Sequence, residues 1–211
     1  MKKTIKFGEE VEGYSIPVLN EREIRASAGI LFLLIVISIL PIEMNRDFLF
    51  FKYVITVIFT DFIIRVFINP KYSPSLIIGR LVVGNQVPEY VGARQKKFAW
   101  IIGVVLSATM FTFIVVANAY GTITVIGCLL CLVFLFFESA FGICLGCMVY
   151  SMIYKNKTKY CPGESCEARS KQDIQKTSRV QVLIVVGLIV FILLVALLFN
   201  NDLNKTPVWL F

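Results

Sequence analysis

The sequence contains no histidine, and charged residues make up only 17% of it. It also lacks a glycine-rich phosphate loop and any recognisable set of hydrolytic residues. Without histidine, the most frequent general base and the most frequent metal ligand are both missing. These absences argue against the usual hydrolases and nucleotide-binding enzymes, and they leave a short list of other residues from which to infer an activity.

What the chain has instead is apolar sequence, at 57% of its residues and a mean hydropathy of +0.78. A soluble domain has about 45–50% apolar residues. A helix needs about 20 residues to cross the hydrocarbon core of a membrane. The sequence therefore predicts an all-α membrane protein with five transmembrane helices, at residues 26–42, 48–68, 98–119, 122 to about 150, and 180–199.

Apart from Gln181 near its start and Gly187, the fifth block, 180–199, consists of Val, Leu, Ile, Phe and Ala. Because it has no polar face to bury, we expect it to meet lipid on most sides. The predicted architecture is a four-helix core within residues 26–154 and a peripheral C-terminal helix.

Lysine and arginine are concentrated in three polar segments, 1–25, 69–97 and 155–179. Basic residues in short loops are retained on the cytoplasmic side. The pattern predicts an N-terminus inside and an external C-terminal tail, 200–211. The formal net charge of +7 follows from this retention and from attraction to anionic lipids, so it does not indicate nucleic-acid binding.

The loop 69–97 contains an apolar stretch, 76–83, that is too short to cross a membrane. It is expected to lie along the inner interface with Arg80 towards the headgroups. Trp100 is expected to be an interfacial anchor.

Ionisable residues within transmembrane helices are costly unless paired, so they are pointers to function. Asp61 and Arg65 are four residues apart and share a helix face. Together with Glu138 they fall about 20–26 Å from the outer ends of their helices, which predicts one buried cluster. Either Arg65 only neutralises two carboxylates, or the cluster binds a substrate or moves protons. Lys52 is expected to extend to the outer interface.

All six cysteines follow Gly127. Cys128 and Cys131 lie among leucines and are interpreted as small apolar residues, although a quinone-linked thiol oxidase is a further alternative. The second CxxC, Cys144 and Cys147, is placed near the cytoplasmic boundary. It fits packing, dithiol chemistry or a zinc site, and the zinc site would add Cys161 and Cys166.

The chain also resembles a known family of bacterial membrane proteins, domain of unknown function 4395, over residues 20 to about 154. The residues that carry the resemblance are Asn20-Glu21-Arg22, Ala28-Gly29, Asp61-Phe62 and Arg65, Asn69-Pro70-Lys71-Tyr72-Ser73-Pro74, Lys97-Phe98-Ala99 and Gly103, Glu138 and Phe141-Gly142, Cys144-Leu145-Gly146-Cys147, and Tyr150.

The resemblance implies a four-span core in the bacterial inner membrane and an association with thioredoxin-like or rhodanese-like proteins. It maps the family's motif onto Asp61, Arg65, Tyr72, Glu138, Cys144 and Cys147.

Two hypotheses follow. In the first, Cys144 and Cys147 react with thiols or a small sulfur species, Arg65 stabilises a thiolate or anion, and Glu138 or Asp61 manages protons. In the second, the protein is a non-catalytic subunit or scaffold that binds other membrane proteins.

Overall fold

The computed structural model describes residues 7–11, 14, 16–154, 178–203 and 208–209. The α-helices are α1 Glu21–Asn45, α2 Leu49–Ile63, α3 Pro74–Val83, α4 Ala93–Phe111, α5 Thr122–Phe136, α6 Leu145–Tyr154 and α7 Arg179–Leu203. Helices α2, α4 and α5 continue into π-helical turns at Ile64–Ile68, Thr112–Val116 and Phe137–Phe141, and a short 3-10 turn covers Pro70–Tyr72.

Four helices are long and apolar enough to cross a membrane: Glu21–Asn45, Ala93–Val116, Thr122–Phe141 and Arg179–Phe199. This confirms the predicted fold class to the extent that the protein is helical and contains helices able to cross a membrane. The remaining predicted block forms α2 and its π-helical turn, which together contain Lys52, Asp61 and Arg65.

Two boundaries differ from the sequence-based expectation. Helix α1 begins at Glu21, inside the predicted N-terminal segment 1–25, because the Asn20 side chain caps it by accepting from the Arg22 N–H at 3.2 Å. The predicted long fourth helix is two helices, since Gly142 adopts a φ of 67° and ends the first one. A side chain at Gly142 would meet the Arg25 guanidinium at 3.1 Å.

Helix α1 lies at the centre of the core and contacts α2, α3 and α5. Its buried face includes Ile24, Leu31 and Ile35. Helix α6 packs closely on α4, because a Cβ at Gly146 would lie 2.6 Å from the Cβ of Ala99. This close approach holds α6 against the core.

Two short strand pairs lie at opposite ends of α4. Strand β1, Val18–Asn20, pairs antiparallel with β2, Tyr90–Gly92, directly before α4. Strand β3, Ala119–Tyr120, follows α4 and pairs parallel with β4, Val208–Trp209. The chain before α1 is therefore at the same end as the α3–α4 connection, and the chain after α7 is at the other end with the α4–α5 connection.

Helix α7 is peripheral, as predicted: none of its most apolar 18-residue stretch is buried. Near its start, the buried Gln181 donates to the carbonyl oxygen of Lys71 at 2.9 Å.

Three polar or amphipathic side chains expected at the membrane surface are buried instead. Arg80 pairs with Glu23 of α1 at 3.1 Å, and Lys52 donates to Asn118 Oδ1 at 2.6 Å. Trp100 packs in the core beneath Arg65, with the guanidinium carbon 5.3 Å from its ring centre. In each case a partner from another helix or connection replaces the expected water or headgroup.

Candidate functional site

Asp61 and Arg65 form the ion pair that their spacing predicts. Arg65 Nε lies 2.7 Å from Asp61 Oδ2, and both side chains are about 97% or more buried. Arg65 is in the π-helical turn that continues α2, so the pair closes within one turn of the same helix.

Three buried serines complete what we call the serine cluster, defined as Asp61, Arg65, Ser27, Ser73 and Ser75. Asp61 accepts from Ser73 Oγ at 2.7 Å, from Ser75 N at 2.9 Å and from Ser75 Oγ at 2.7 Å. Arg65 Nη2 donates to Ser27 Oγ at 2.5 Å. The cluster joins α1, α2 and the start of α3, and its two charges balance each other.

Glu138 does not join that ion pair. It pairs with Lys96 of α4, and Lys96 Nζ also lies 2.8 Å from Glu21 Oε2. We call Glu21, Lys96 and Glu138 the lysine cluster. The prediction of a single Asp61, Arg65 and Glu138 cluster is therefore wrong, because the fully buried Lys96 is the cation that Glu138 meets.

Sequence reasoning missed Lys96 and Glu21 because both were assigned to polar segments outside the helices. A signal for Glu21 was present: Asn20 followed three residues later by Glu23 is typical of a helix N-terminus. In the structure Asn20 Nδ2 does donate to Glu23 Oε1 at 3.0 Å. That pattern makes Asn20 the N-cap and Glu21 the first residue of α1, so this carboxylate lies on the helix.

Cys144 and Cys147 lie at the start of α6, and both are buried free thiols. The Cys144 carbonyl oxygen accepts from Met148 N at 3.1 Å, and Cys144 Sγ accepts from Cys147 N at 3.3 Å. The Cys144 sulfur thus caps the helix N-terminus, where the helix dipole favours a negative charge.

The electrostatic surroundings of the thiols are set by the lysine cluster. Lys96 interacts with both sulfurs and favours a thiolate. Cys144 follows the end of the apolar helix Thr122–Phe141. A side-chain hydrogen bond from the Cys144 thiol to Cys147 and burial together raise the pKa of Cys144 well above its ordinary value of 9.0, with Lys96 acting in the opposite direction. The thiol is therefore protonated at neutral pH.

A cavity of about 60 Å³ brings several predicted residues together. Arg65, Glu138 and Cys144 line it, together with Cys131 and mostly apolar side chains. The structure thus places three of the predicted site residues around one space, although the ion pairs are separate. Asp61 and Cys147 do not line the cavity. Each is hydrogen-bonded to a residue that does: Asp61 accepts from Arg65, and the Cys147 N–H donates to Cys144 Sγ.

The other cysteines have simpler surroundings. Cys128 and Cys131 are half-buried and pack against the apolar core, in line with their interpretation as apolar residues. Cys161 and Cys166 lie outside the described residues, so the four-cysteine zinc site stays a prediction. Within the described part of the chain, no group of three or more Cys, Asp or Glu residues is arranged to hold a metal.

The fold and site define a helical membrane protein with a buried CxxC motif and two buried ion clusters. The family profile described as a domain of unknown function, DUF4395, matches residues 19–155. The chain belongs to that family, and the match includes both clusters and both Cys144 and Cys147. No curated protein matches the chain, and no solved structure does.

Proposed function

We propose that the protein handles thiols or small sulfur species in the cytoplasmic membrane of a bacterium, through Cys144 and Cys147. The observation that carries the proposal is the position of Cys144 Sγ. It caps the N-terminus of α6, hydrogen-bonds to Cys147 N and lies within the field of Lys96. The helix N-terminus and the charge of Lys96 favour the thiolate, against the burial that keeps the resting thiol protonated.

The proposed topology has five transmembrane helices, the N-terminus inside and the C-terminus outside. The strand pairs support it, because the segment before α1 lies with the α3–α4 connection and the segment after α7 lies with the α4–α5 connection. Segments 1–25 and 69–97, which include the first of these ends, contain ten of the 21 Lys and Arg residues, which favours its placement in the cytoplasm.

In the proposed reaction, the Cys144 thiolate attacks one sulfur of a compound R–S–S–R′. The S–S bond breaks, R′S⁻ leaves and takes a proton to become R′SH, and Cys144 carries the SR group. Cys147 then attacks Cys144 Sγ, releases RSH and leaves a Cys144–Cys147 disulfide. The dithiol is oxidised and the substrate is reduced by the same two electrons.

The geometry divides the roles. Cys144 lines the cavity and is assigned the attack, while Cys147 is assigned the second step. Lys96, rather than Arg65, is assigned the stabilisation of the thiolate, because Lys96 is the cation that lowers the pKa of Cys144. Glu138, rather than Asp61, is assigned to accept the proton of the Cys144 thiol, since Asp61 already accepts several hydrogen bonds in the serine cluster.

A thioredoxin-like or rhodanese-like protein is the proposed partner. It would supply the sulfur compound or take up the released thiol, while a small thiol returns the disulfide to the dithiol, and the basic cytoplasmic end is the face that the partner would approach.

The test is intact-protein mass spectrometry of the full-length protein in detergent, before and after exposure to dimethyl disulfide. We expect added sulfur or a new disulfide at Cys144 and Cys147, found by peptide mapping. Cys144→Ser should abolish the change without lowering the yield of folded protein, and Cys128→Ser is the matched control.

Two results would overturn the proposal. A zinc mass that disappears with a chelator would make the cysteines a metal site. Inert, metal-free thiols would favour the scaffold hypothesis, which predicts that cysteine-free protein still assembles with its partners.

A further inference from the structure

We infer that the cavity beside Cys144 admits only small, uncharged compounds that contain an S–S bond, of the size of dimethyl disulfide. The direct reactant of Cys144 is then neither a protein cysteine nor a sulfur anion such as sulfite. This inference rests on the proposed function and names its substrate class.

Burial sets the size limit. Cys144 is 4% exposed, and the space beside it is about 60 Å³. One water molecule needs about 10–15 Å³ of such space, so the cavity holds only a few heavy atoms. A cysteine in a folded protein carries its backbone with it and does not fit.

The walls are tightly packed. A Cβ at Gly103 would lie 2.6 Å from the ring of Phe62, and a Cβ at Gly146 would lie 2.6 Å from Ala99. These four residues all line the cavity. The interior is close-packed on these sides, so enlarging the space requires helices to move apart.

Charge sets the second limit. The Arg65 charge facing the cavity is cancelled by Asp61, which it meets at 2.7 Å. In the lysine cluster, the Lys96 ammonium is paired with the carboxylates of Glu21 and Glu138, and the Arg25 guanidinium lies beside Gly142, outside the lining of the cavity. The remaining titratable groups in the lining are thiols, Cys131 and Cys144.

An anion entering this cavity would lose its hydration among mostly apolar side chains, and the Arg65 cation in the lining is already paired with Asp61. A neutral molecule pays neither cost, and the apolar side chains that make up most of the lining favour it. Size and charge therefore point to the same class of compound.

The test uses methanethiosulfonate reagents, which share one reaction and differ in size and charge. The methyl reagent is small and neutral, the sulfonatoethyl reagent is an anion, and a polyethylene-glycol derivative is large. Each is applied to the full-length protein in detergent, and modification of Cys144 is followed by peptide mapping. Val87→Cys, an exposed position between α3 and β2, supplies the reference thiol.

We expect the methyl reagent to exceed the anionic reagent at Cys144 by more than tenfold, after both rates are divided by those at Val87→Cys. We expect no reaction of Cys144 with the large reagent. Equal relative rates for the methyl and anionic reagents, or modification by the large one, would overturn the inference and leave the proposed function standing. A Cys144 that is inert even to the methyl reagent would overturn both.

Filling the cavity gives an independent check. Ala28→Leu places a larger side chain into its wall, and we expect at least a tenfold slower reaction with the methyl reagent. Val105→Leu, at an exposed position of α4, should leave the rate unchanged. If Ala28→Leu lowers the yield of folded protein, Leu106→Phe fills the same cavity from α4. An unchanged rate in a folded, filled variant would contradict the inference.

Discussion

The serine cluster and the lysine cluster are both buried and both join several helices, yet they differ in charge and in saturation. In the serine cluster one cation meets one anion, and Ser27, Ser73 and Ser75 satisfy their remaining hydrogen bonds. In the lysine cluster one cation meets two carboxylates, and one of them, Glu138, is 14% exposed. Two thiols lie within its field.

A balanced, saturated ion pair has nothing further to bind, so its contribution is to hold helices in place. A cluster in which one ammonium pairs with two carboxylates is able to take up or release a proton when a neighbouring group changes charge. The comparison therefore assigns structure to Asp61 and Arg65, and chemistry to Lys96, Glu138 and Cys144.

The largest effect is expected from breaking the balanced pair. Asp61→Asn leaves a buried Arg65 without its anion, and we expect a loss of about 3–5 kcal/mol in the free energy of unfolding. Thermal unfolding in detergent measures it. The double variant Asp61→Asn with Arg65→Met removes both charges and should recover much of the loss. If the double variant is as unstable as the single one, the pair is not the source of the stability.

A somewhat smaller effect is expected when pH changes the protonation of the Cys144 thiol beside the lysine cluster. Because the pKa of Cys144 is raised well above its ordinary value of 9.0, its thiolate fraction should rise about tenfold per pH unit from pH 7 to pH 9. The rate of alkylation should rise by the same factor. At the exposed Val87→Cys the rate should level off near a thiol pKa of about 8.5. A plateau below pH 9 at Cys144 would contradict the cause assigned here.

Removing the cation of the lysine cluster should raise the pKa of Cys144 further, because Lys96 is the group that lowers it. We expect Lys96→Met to slow alkylation of Cys144 at pH 8 by about tenfold, which corresponds to one pKa unit. Lys97→Met removes the same charge from the next position and is the control. Equal slowing in both variants would mean that general surface charge, rather than the cluster, acts on the thiol.

The smallest effect is expected at an ion pair outside both clusters. Arg22 Nη2 lies 2.7 Å from Glu89 Oε1, with about one third of each side chain exposed. Water screens such a pair, so Arg22→Gln should cost at most about 1 kcal/mol in the free energy of unfolding. A loss as large as that of Asp61→Asn would show that burial is not what separates the ion pairs of this protein.

The parts of the fold that sequence predicts are those set by local spacing and composition. Asp61 and Arg65 pair because four residues complete about one helical turn, and α7 is peripheral because it has no polar face. The Cys144–Cys147 motif lies just beyond the end of the helix Thr122–Phe141, because about 20 residues suffice to cross the membrane.

The parts that sequence reasoning misplaced depend on partners far along the chain. Lys96 meets Glu21, Arg80 meets Glu23 and Lys52 meets Asn118, each across 57 or more residues. Hydropathy assigns such basic residues to the membrane surface, since it contains no information about a carboxylate or amide on another helix. The helix boundary at Gly142 was not predicted for a different reason: the apolar sequence continues through it.

The peripheral position of α7 bears on how this protein is assembled from modules. The serine cluster, the lysine cluster, the thiols and the cavity all lie within residues 19–155, the region that matches the family. Helix α7 contributes none of these residues; its Gln181 donates to the carbonyl oxygen of Lys71, and the helix packs against α2 and α3. The proposed chemistry therefore rests on residues of the family region alone, and α7 is expected to add contact with lipid rather than reacting groups.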